Sequence, residues 1–187
     1  MKHINQFYNK RKAHLQAKLG STGTTRLMEF LTNRRNRQII HYLHTQSHRI
    51  IERLVEEGIG TLVIGKNDGW KQQITIGRRN NQNVVQVPHA RFIQMLQYKA
   101  ELVGIVVRTI NESHTSTCSF LDAEPIGHRE RYVGKRVTRG MFRTADGRRI
   151  NADVNGAYNI IRKAIPNAFG NGIGGVVVHP VGIAPTY

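Results

Sequence analysis

Two short, largely apolar runs, each placed after a helix-like stretch and a glycine, decide which class of fold this chain can adopt. The first covers residues 61–64 after Gly58, and the second covers residues 105–110 after Gly104. Short continuous runs of this kind are typical of strands that are buried in a sheet. Because helical spacing precedes each run, the order helix–strand–helix–strand predicts an α/β sheet with parallel neighbours.

Helical periodicity accounts for most of the remaining apolar residues. They recur at steps of three and four positions, as expected when one face of a helix is buried. The longest such segment has Thr24 or Thr25 as its predicted N-cap and carries arginines on the face opposite its apolar stripe. The predicted helices are 3–19, 25–57, the stretch after Pro88 to about Leu102, and 153–163.

The charge of the chain indicates a polyanionic partner. Its 187 residues include 28 Lys and Arg against 12 Asp and Glu, a formal net charge of +16 at pH 7. Nucleic acid is the commonest partner of so basic a chain, and cationic side chains contact its phosphates. The predicted nucleic-acid-binding residues are Arg34, Arg35, Arg37, Arg49, Lys135, Arg136, Arg139 and Arg143.

Composition argues against several other classes of protein. The single cysteine, Cys118, excludes an internal disulfide and a Cys-rich zinc site. A chain without disulfides fits a reducing compartment, and we expect it to be cytoplasmic. No stretch approaches the roughly 18–20 apolar residues that a membrane span requires, and the first residues do not resemble a signal peptide. We therefore expect no membrane partner.

Two motifs connect the chain with a known family. Residues 98–101 (YKAE) precede Gly104 and the segment 112–119 (ESHTSTCS), and residues 151–160 read NADVNGAYNI. With the long basic helix before the first apolar run, these motifs resemble, in order and spacing, the TnpB family of transposon-encoded, RNA-guided DNA endonucleases. The resemblance covers nearly all of 1–165. It implies a partial RNase H-like (RuvC-type) sheet with flanking helices and a basic insertion.

The resemblance also implies a site of three or four carboxylates that holds two Mg²⁺ ions against a phosphodiester. By the family motif, the last of these carboxylates is Asp153, whose alternative role is that of an ordinary N-terminal helix residue favoured by the helix dipole. Gly65 stands where the family has its second carboxylate, a Glu directly after the first apolar run. Glu112, just past the second run, is the candidate catalytic and metal-binding substitute, with a solvated loop residue as the alternative.

The family's first carboxylate lies on an early strand that has no counterpart in this sequence. We therefore expect 1–165 to be the C-terminal part of a RuvC-like domain, followed by a flexible Gly-rich tail over 166–187. A natural truncation, an internal start and a gene fragment remain alternatives. A full-length or N-terminal partner chain is a further candidate, because it would supply the lost strands.

A zinc-binding module of two Cys-x-x-Cys pairs is common in family members after the Thr-Ser motif. Here Leu121 occupies the position of the partner of Cys118, and the second pair is absent. The resemblance therefore implies that residues 112–150 are a degenerate insertion that binds target nucleic acid without zinc. Mg²⁺ is the cofactor expected for the complete family site.

The predicted function is nucleic-acid binding by a TnpB-type transposon protein. DNA is the expected partner and a guide RNA a further candidate, in transposition and DNA recombination. The incomplete carboxylate set predicts no cleavage by the isolated chain, although relatives are endonucleases. A non-catalytic basic accessory protein and a decayed transposon gene product are the alternatives, and all three need the same basic faces.

Overall fold

The computed structural model describes residues 1–20, 23–67, 88–170, 172 and 176–180. Their secondary structure is of the predicted α/β class, with all four predicted helices and both apolar strands present. In chain order the elements are α1 (Lys2–Leu19), α2 (Arg26–Glu56), β1 (Thr61–Gly65), α3 (His89–Leu102), β2 (Val106–Ile110), β3 (Lys135–Thr138), β4 (Met141–Arg143), β5 (Arg149–Asn151) and α4 (Ala152–Ala164).

The chain divides into two compact units rather than one. The helical unit comprises Met1–Thr61 and Gly69–Val106, and the sheet unit comprises Leu62–Asp68 and Val107–Tyr187. The division falls at the two strands β1 and β2. The division arises because α1, α2 and α3 pack on one another, whereas β4 and β5 pack on α4.

Local sequence explains where the long helices of the helical unit begin and end. Gly20 follows α1 with a φ of 63°, a left-handed conformation that favours glycine. Of the two predicted caps, Thr25 is the N-cap of α2, and its hydroxyl accepts a hydrogen bond from the Met28 amide at 3.3 Å. None of the described helices combines the length and the apolar character needed to cross a membrane.

A small apolar core and a few polar contacts hold the helical unit together. Ile39 and Leu43 of α2 and Met95 of α3 are buried against one another. The helices α1 and α2 are antiparallel, since Asn5 contacts Arg35 while Tyr8 contacts Thr32. This arrangement leaves one long face of α2 exposed.

The two apolar strands form the predicted parallel pair. Val106 donates to the Gly60 carbonyl at 3.0 Å and Lys66 donates to the Ile110 carbonyl at 2.8 Å, so residue numbers increase in the same direction along both strands. The apolar pattern predicts that both strands are buried, but Val106 of β2 is 54% exposed. Within the described residues this sheet has two strands.

A second, antiparallel sheet of order β3–β4–β5 forms within the sheet unit. Phe142 of β4 lies opposite Ile150 of β5, and both side chains are buried. Val137 is the extra residue of a bulge in β3, where the register with β4 shifts. The core under this sheet consists of Phe120, Leu121, Phe142, Ile150 and Ala152.

The described part of the 166–187 segment has apolar side chains that lie against the sheet unit. Phe169, Val176 and Val178 pack against the core of the sheet unit. The Val178 carbonyl accepts a hydrogen bond from Asn151 at 2.8 Å, and the Tyr158 hydroxyl bonds with both backbone groups of Val177. Apolar side chains among the glycines hold this segment in place.

Candidate nucleic-acid interface

The two family-like motifs meet through two asparagines of α4. Asn155 and Asn159 are fully buried. The Asn155 side chain accepts a hydrogen bond from the Phe120 amide at 2.9 Å and donates one to the Cys118 carbonyl at 2.9 Å. Asn159 donates to the Cys118 carbonyl at 2.8 Å and to the Thr115 carbonyl at 2.9 Å. These asparagines satisfy backbone groups of a buried loop, which explains their place in the motif.

The buried carboxylate of Glu124 connects two parts of the next loop through hydrogen bonds. Glu124 is 2% exposed, and its two carboxylate oxygens accept hydrogen bonds from the amides of Ser119, at 2.7 Å, and Val133, at 2.9 Å. The Arg162 guanidinium donates to the Glu124 carbonyl and to Asn159, and burial lowers the pKa of Arg162. Sequence reasoning missed Glu124, because a Glu in a polar loop is indistinguishable from a solvated one.

Carboxylates also join the turn after Cys118 to the turn between β4 and β5. Asp122 accepts hydrogen bonds from the Ser119 hydroxyl at 2.6 Å and from the Ala145 amide at 3.1 Å. In the second turn, hydrogen bonds from the Thr144 hydroxyl and then from Arg148 lower the pKa of Asp146. Hydrogen bonds of polar side chains thus connect the turns of the 112–150 insertion.

Cys118 is buried and its thiol points toward the carbonyls of Pro125, at 3.6 Å, and Gly127, at 3.8 Å. In the part of the chain that the structure describes, no group of three or more His, Cys, Asp or Glu side chains could hold a metal ion.

Glu112 occupies the space beside Gly65, the position at which the family resemblance implies a glutamate. A Cβ added to Gly65 would lie 2.8 Å from Glu112 Oε2, 3.0 Å from Glu112 Cβ and 2.7 Å from Ile160 Cδ1. The other carboxylate oxygen of Glu112 accepts a hydrogen bond from Asn67 at 3.2 Å. A side chain at position 65 and the present conformation of Glu112 therefore exclude each other.

Asp153 lies in a different environment on the first turn of α4. Its side chain is 87% exposed and forms an ion pair with Arg136 at 3.3 Å. It shares a helix face with Ile160, which contacts the Gly65 region, but stands two turns earlier, about 10 Å along the axis. Glu112 and an ion-paired Asp153 supply fewer carboxylates than a two-metal site requires, so the described donor set does not fit such a site.

The register of the antiparallel sheet places three cations in one row. Arg143 of β4 lies directly opposite Lys135 of β3 on one side and Arg149 of β5 on the other. Residues directly opposite share a face, and neighbouring strands are about 4.8 Å apart, so the row spans about 10 Å. All three side chains are exposed, and none has an ion-pair partner among the described residues.

We name Lys135, Arg143 and Arg149 the cation row. Sequence reasoning identified Lys135 and Arg143 but missed Arg149, because only the strand register brings it beside them. Arg139 lies exposed in the turn between β3 and β4, while Arg136 reaches the start of α4 through its pair with Asp153.

The arginines of α2 are not equivalent to one another. Arg35 is half-buried, donates to Asn5 at 2.9 Å and lies 5.5 Å from the centre of the Tyr8 ring. Burial lowers the pKa of Arg35, and the geometry gives it a packing role between α1 and α2. Arg34 and Arg37 are exposed, whereas Arg49 is half-buried.

Two family models and one curated protein match parts of this chain. Residues 1–71 match the OrfB_IS605 family model, described as a probable transposase, and residues 89–160 match the Cas12f1-like TNB domain. The TnpB-like protein ORF457 of Acidianus two-tailed virus is 25% identical over 146 residues, which are 78% of this chain and 27% of that protein.

A solved structure has a similar fold. It is the cryo-EM structure of a Cas12f1–sgRNA–target DNA complex, with a TM-score of 0.59 and 16% identity. The match covers 88% of this chain and 41% of that one. The chain thus spans well under half the length of both the viral relative and this structure.

Proposed function

We propose, from these matches and the similar fold, that the chain is a TnpB-type protein with an RNase H-related α/β fold, and that it is the nucleic-acid-binding C-terminal part of a transposon-associated nuclease. Its activity in this proposal is to bind DNA, and a guide RNA where one is present, in the cytoplasm. This binding would take part in transposition and DNA recombination.

The cation row is the observation that carries this proposal. Like charges directly opposite one another in a sheet are destabilising unless something neutralises them. The opposite face of the same strands carries Phe142 and Ile150, so folding itself requires only the buried face. A nucleic-acid backbone crossing the strands would neutralise the row, because each phosphate carries one negative charge.

The solved neighbour supports the choice of partner. That protein is in complex with a guide RNA and target DNA. The match of residues 89–160 to the TNB model includes the whole antiparallel sheet, so the cation row lies in the matched region. We extend nucleic-acid binding to this chain on that basis together with its net charge of +16.

We propose that the isolated chain does not cleave DNA. Glu112 takes the place of the family carboxylate at position 65, and Asp153 is the second carboxylate, but the described donors are too few for a two-metal site. Mg²⁺ binding would need further carboxylates, which a full-length or N-terminal partner chain would supply. This favours a non-catalytic accessory role for the chain alone.

The experiment measures affinity for a DNA duplex by fluorescence anisotropy between 50 and 200 mM salt. We compare the unaltered chain with the triple variant Lys135→Ala, Arg143→Ala, Arg149→Ala. Loss of three phosphate contacts should weaken binding at low salt and reduce the salt slope by about 2.7, at about 0.9 for each contact.

The triple variant Lys10→Ala, Arg11→Ala, Lys18→Ala is the matched control, because it removes the same charge from exposed positions of α1. Equal changes in slope for both variants would show that net charge, and not the row, drives binding. Affinity of the unaltered chain that is independent of salt would contradict the proposed function.

A further inference from the structure

A cavity of about 500 Å³ opens beside the cation row in the sheet unit. Lys135 and Arg143 of the row line it on one side. Tyr132, which is half-buried, and Asp146 also line it. We propose, on the premise of the proposed function, that this cavity receives one unpaired base of a single-stranded nucleic acid whose phosphates lie on the row.

Several of the residues that line the cavity are small. Gly134, Ala145 and Gly147 line the cavity, and a Cβ on Gly134 would lie 2.5 Å from a ring atom of Phe142 and 2.9 Å from the Arg143 carbonyl. The backbone at Gly134 therefore passes directly over the buried ring, where no side chain fits. Gly147 has a φ of 87°, a conformation that favours glycine in the facing turn.

The charges of the cavity are arranged for a nucleotide rather than for a phosphate alone. The cations lie on the strand side, whereas the Asp146 carboxylate lies on the turn side. Thr144 at 2.5 Å and Arg148 at 2.6 Å hold Asp146 in place. Arg148 neutralises Asp146 through their ion pair. The net positive charge of the cavity therefore lies on the strand side with Lys135 and Arg143, so a nucleotide would enter with its phosphate toward the strands and its base toward the turn.

The Tyr132 ring supplies the surface on which a base can stack. Stacking of one base on an aromatic side chain contributes about 1–3 kcal/mol in proteins that bind single strands. The bases of a duplex are paired and stacked on each other, and cannot enter such a cavity without being extruded. The sheet unit should therefore prefer single-stranded to duplex nucleic acid.

The test measures affinity of the full chain for a 20-nucleotide single strand and for a duplex of the same sequence. Tyr132→Ala should weaken single-strand binding about tenfold, the equivalent of about 1.4 kcal/mol, and change duplex binding less than about twofold. Tyr132→Phe should restore single-strand binding because it keeps the ring. Tyr42→Ala, on an exposed tyrosine of α2, is the matched control and should change neither affinity.

A second measurement uses the unaltered protein and so does not depend on folding of a variant. A strand made of abasic residues keeps the phosphates but lacks bases, and should bind about tenfold more weakly than the normal strand. Equal affinity for the two strands, or equal losses on single strand and duplex in Tyr132→Ala, would overturn the cavity proposal while leaving nucleic-acid binding intact. Absence of binding to either form would overturn both proposals.

Discussion

The helical unit and the sheet unit are stabilised by different kinds of side chain. In the helical unit the buried set is mainly apolar, and α1, α2 and α3 satisfy most of their own backbone hydrogen bonds. In the sheet unit the short strands are separated by loops, whose buried backbone groups need side-chain partners. The buried polar residues of the sheet unit are Thr115, Ser119, Glu124, Thr144, Asn155 and Asn159.

This contrast predicts that polar substitutions should affect the sheet unit most. Glu124→Gln should destabilise it by about 2 kcal/mol. The carboxylate accepts hydrogen bonds from two amides, those of Ser119 and Val133, and the NH₂ group of the new side chain would face one of these donors instead. Denaturant unfolding and hydrogen exchange at Ser119 and Val133 measure the change. Glu130→Gln, at an exposed position, is the control; equal stability of the two variants would refute the role of Glu124.

A second prediction concerns the shared space of Gly65 and Glu112. Gly65→Glu should destabilise the sheet unit by about 2 kcal/mol, since the new side chain overlaps with Ile160 and with Glu112. The double variant Gly65→Glu, Glu112→Ala should recover part of the loss in thermal unfolding, because it removes the overlap with the Glu112 carboxylate and leaves that with Ile160. The control is Gly60→Glu, because no atom lies within 4 Å of a Cβ at Gly60. If the double variant lost as much stability as the two single variants together, Glu112 and a side chain at position 65 would not compete for the same space.

In the helical unit, a third prediction separates packing arginines from binding arginines. Arg35→Ala should lower the free energy of unfolding by about 1 kcal/mol, because it removes the hydrogen bond to Asn5 and the contact with Tyr8. Arg37→Ala should leave unfolding unchanged and weaken DNA binding instead. Denaturation curves and anisotropy of the two variants are compared, and reversed effects would show that the two arginines have been assigned the wrong roles.

The smallest expected effect is that of metal removal. Polar side chains hold the turns of the insertion, so EDTA should shift the midpoint of thermal unfolding of the sheet unit by less than about 1 °C. A zinc-held module would unfold under the same treatment. Calorimetry with and without the chelator measures this, and a large shift would mean that a bound metal ion stabilises the sheet unit.

Sequence pattern alone determined the helices, the two parallel strands and the charge, but not the antiparallel strands β3 to β5. Helical spacing predicts α1 through α4 to within a few residues, and the two apolar runs predict β1 and β2 in parallel, because these features depend on neighbours along the chain. The family-like motifs also identified residues 112–119 and 151–160 as belonging together. Their connection through Asn155 and Asn159 gives that pairing a physical cause.

Only the tertiary structure decided what individual polar residues do. Arg35 and Arg37 stand two positions apart in sequence, yet one packs against α1 and the other is exposed. Arg149 joins the cation row only through the register of β4 and β5. The sequence shows that a side chain is charged, but not whether it is solvated, ion-paired or buried. The role of the side chain depends on neighbours that are distant in sequence. That dependence is what a one-dimensional pattern does not contain.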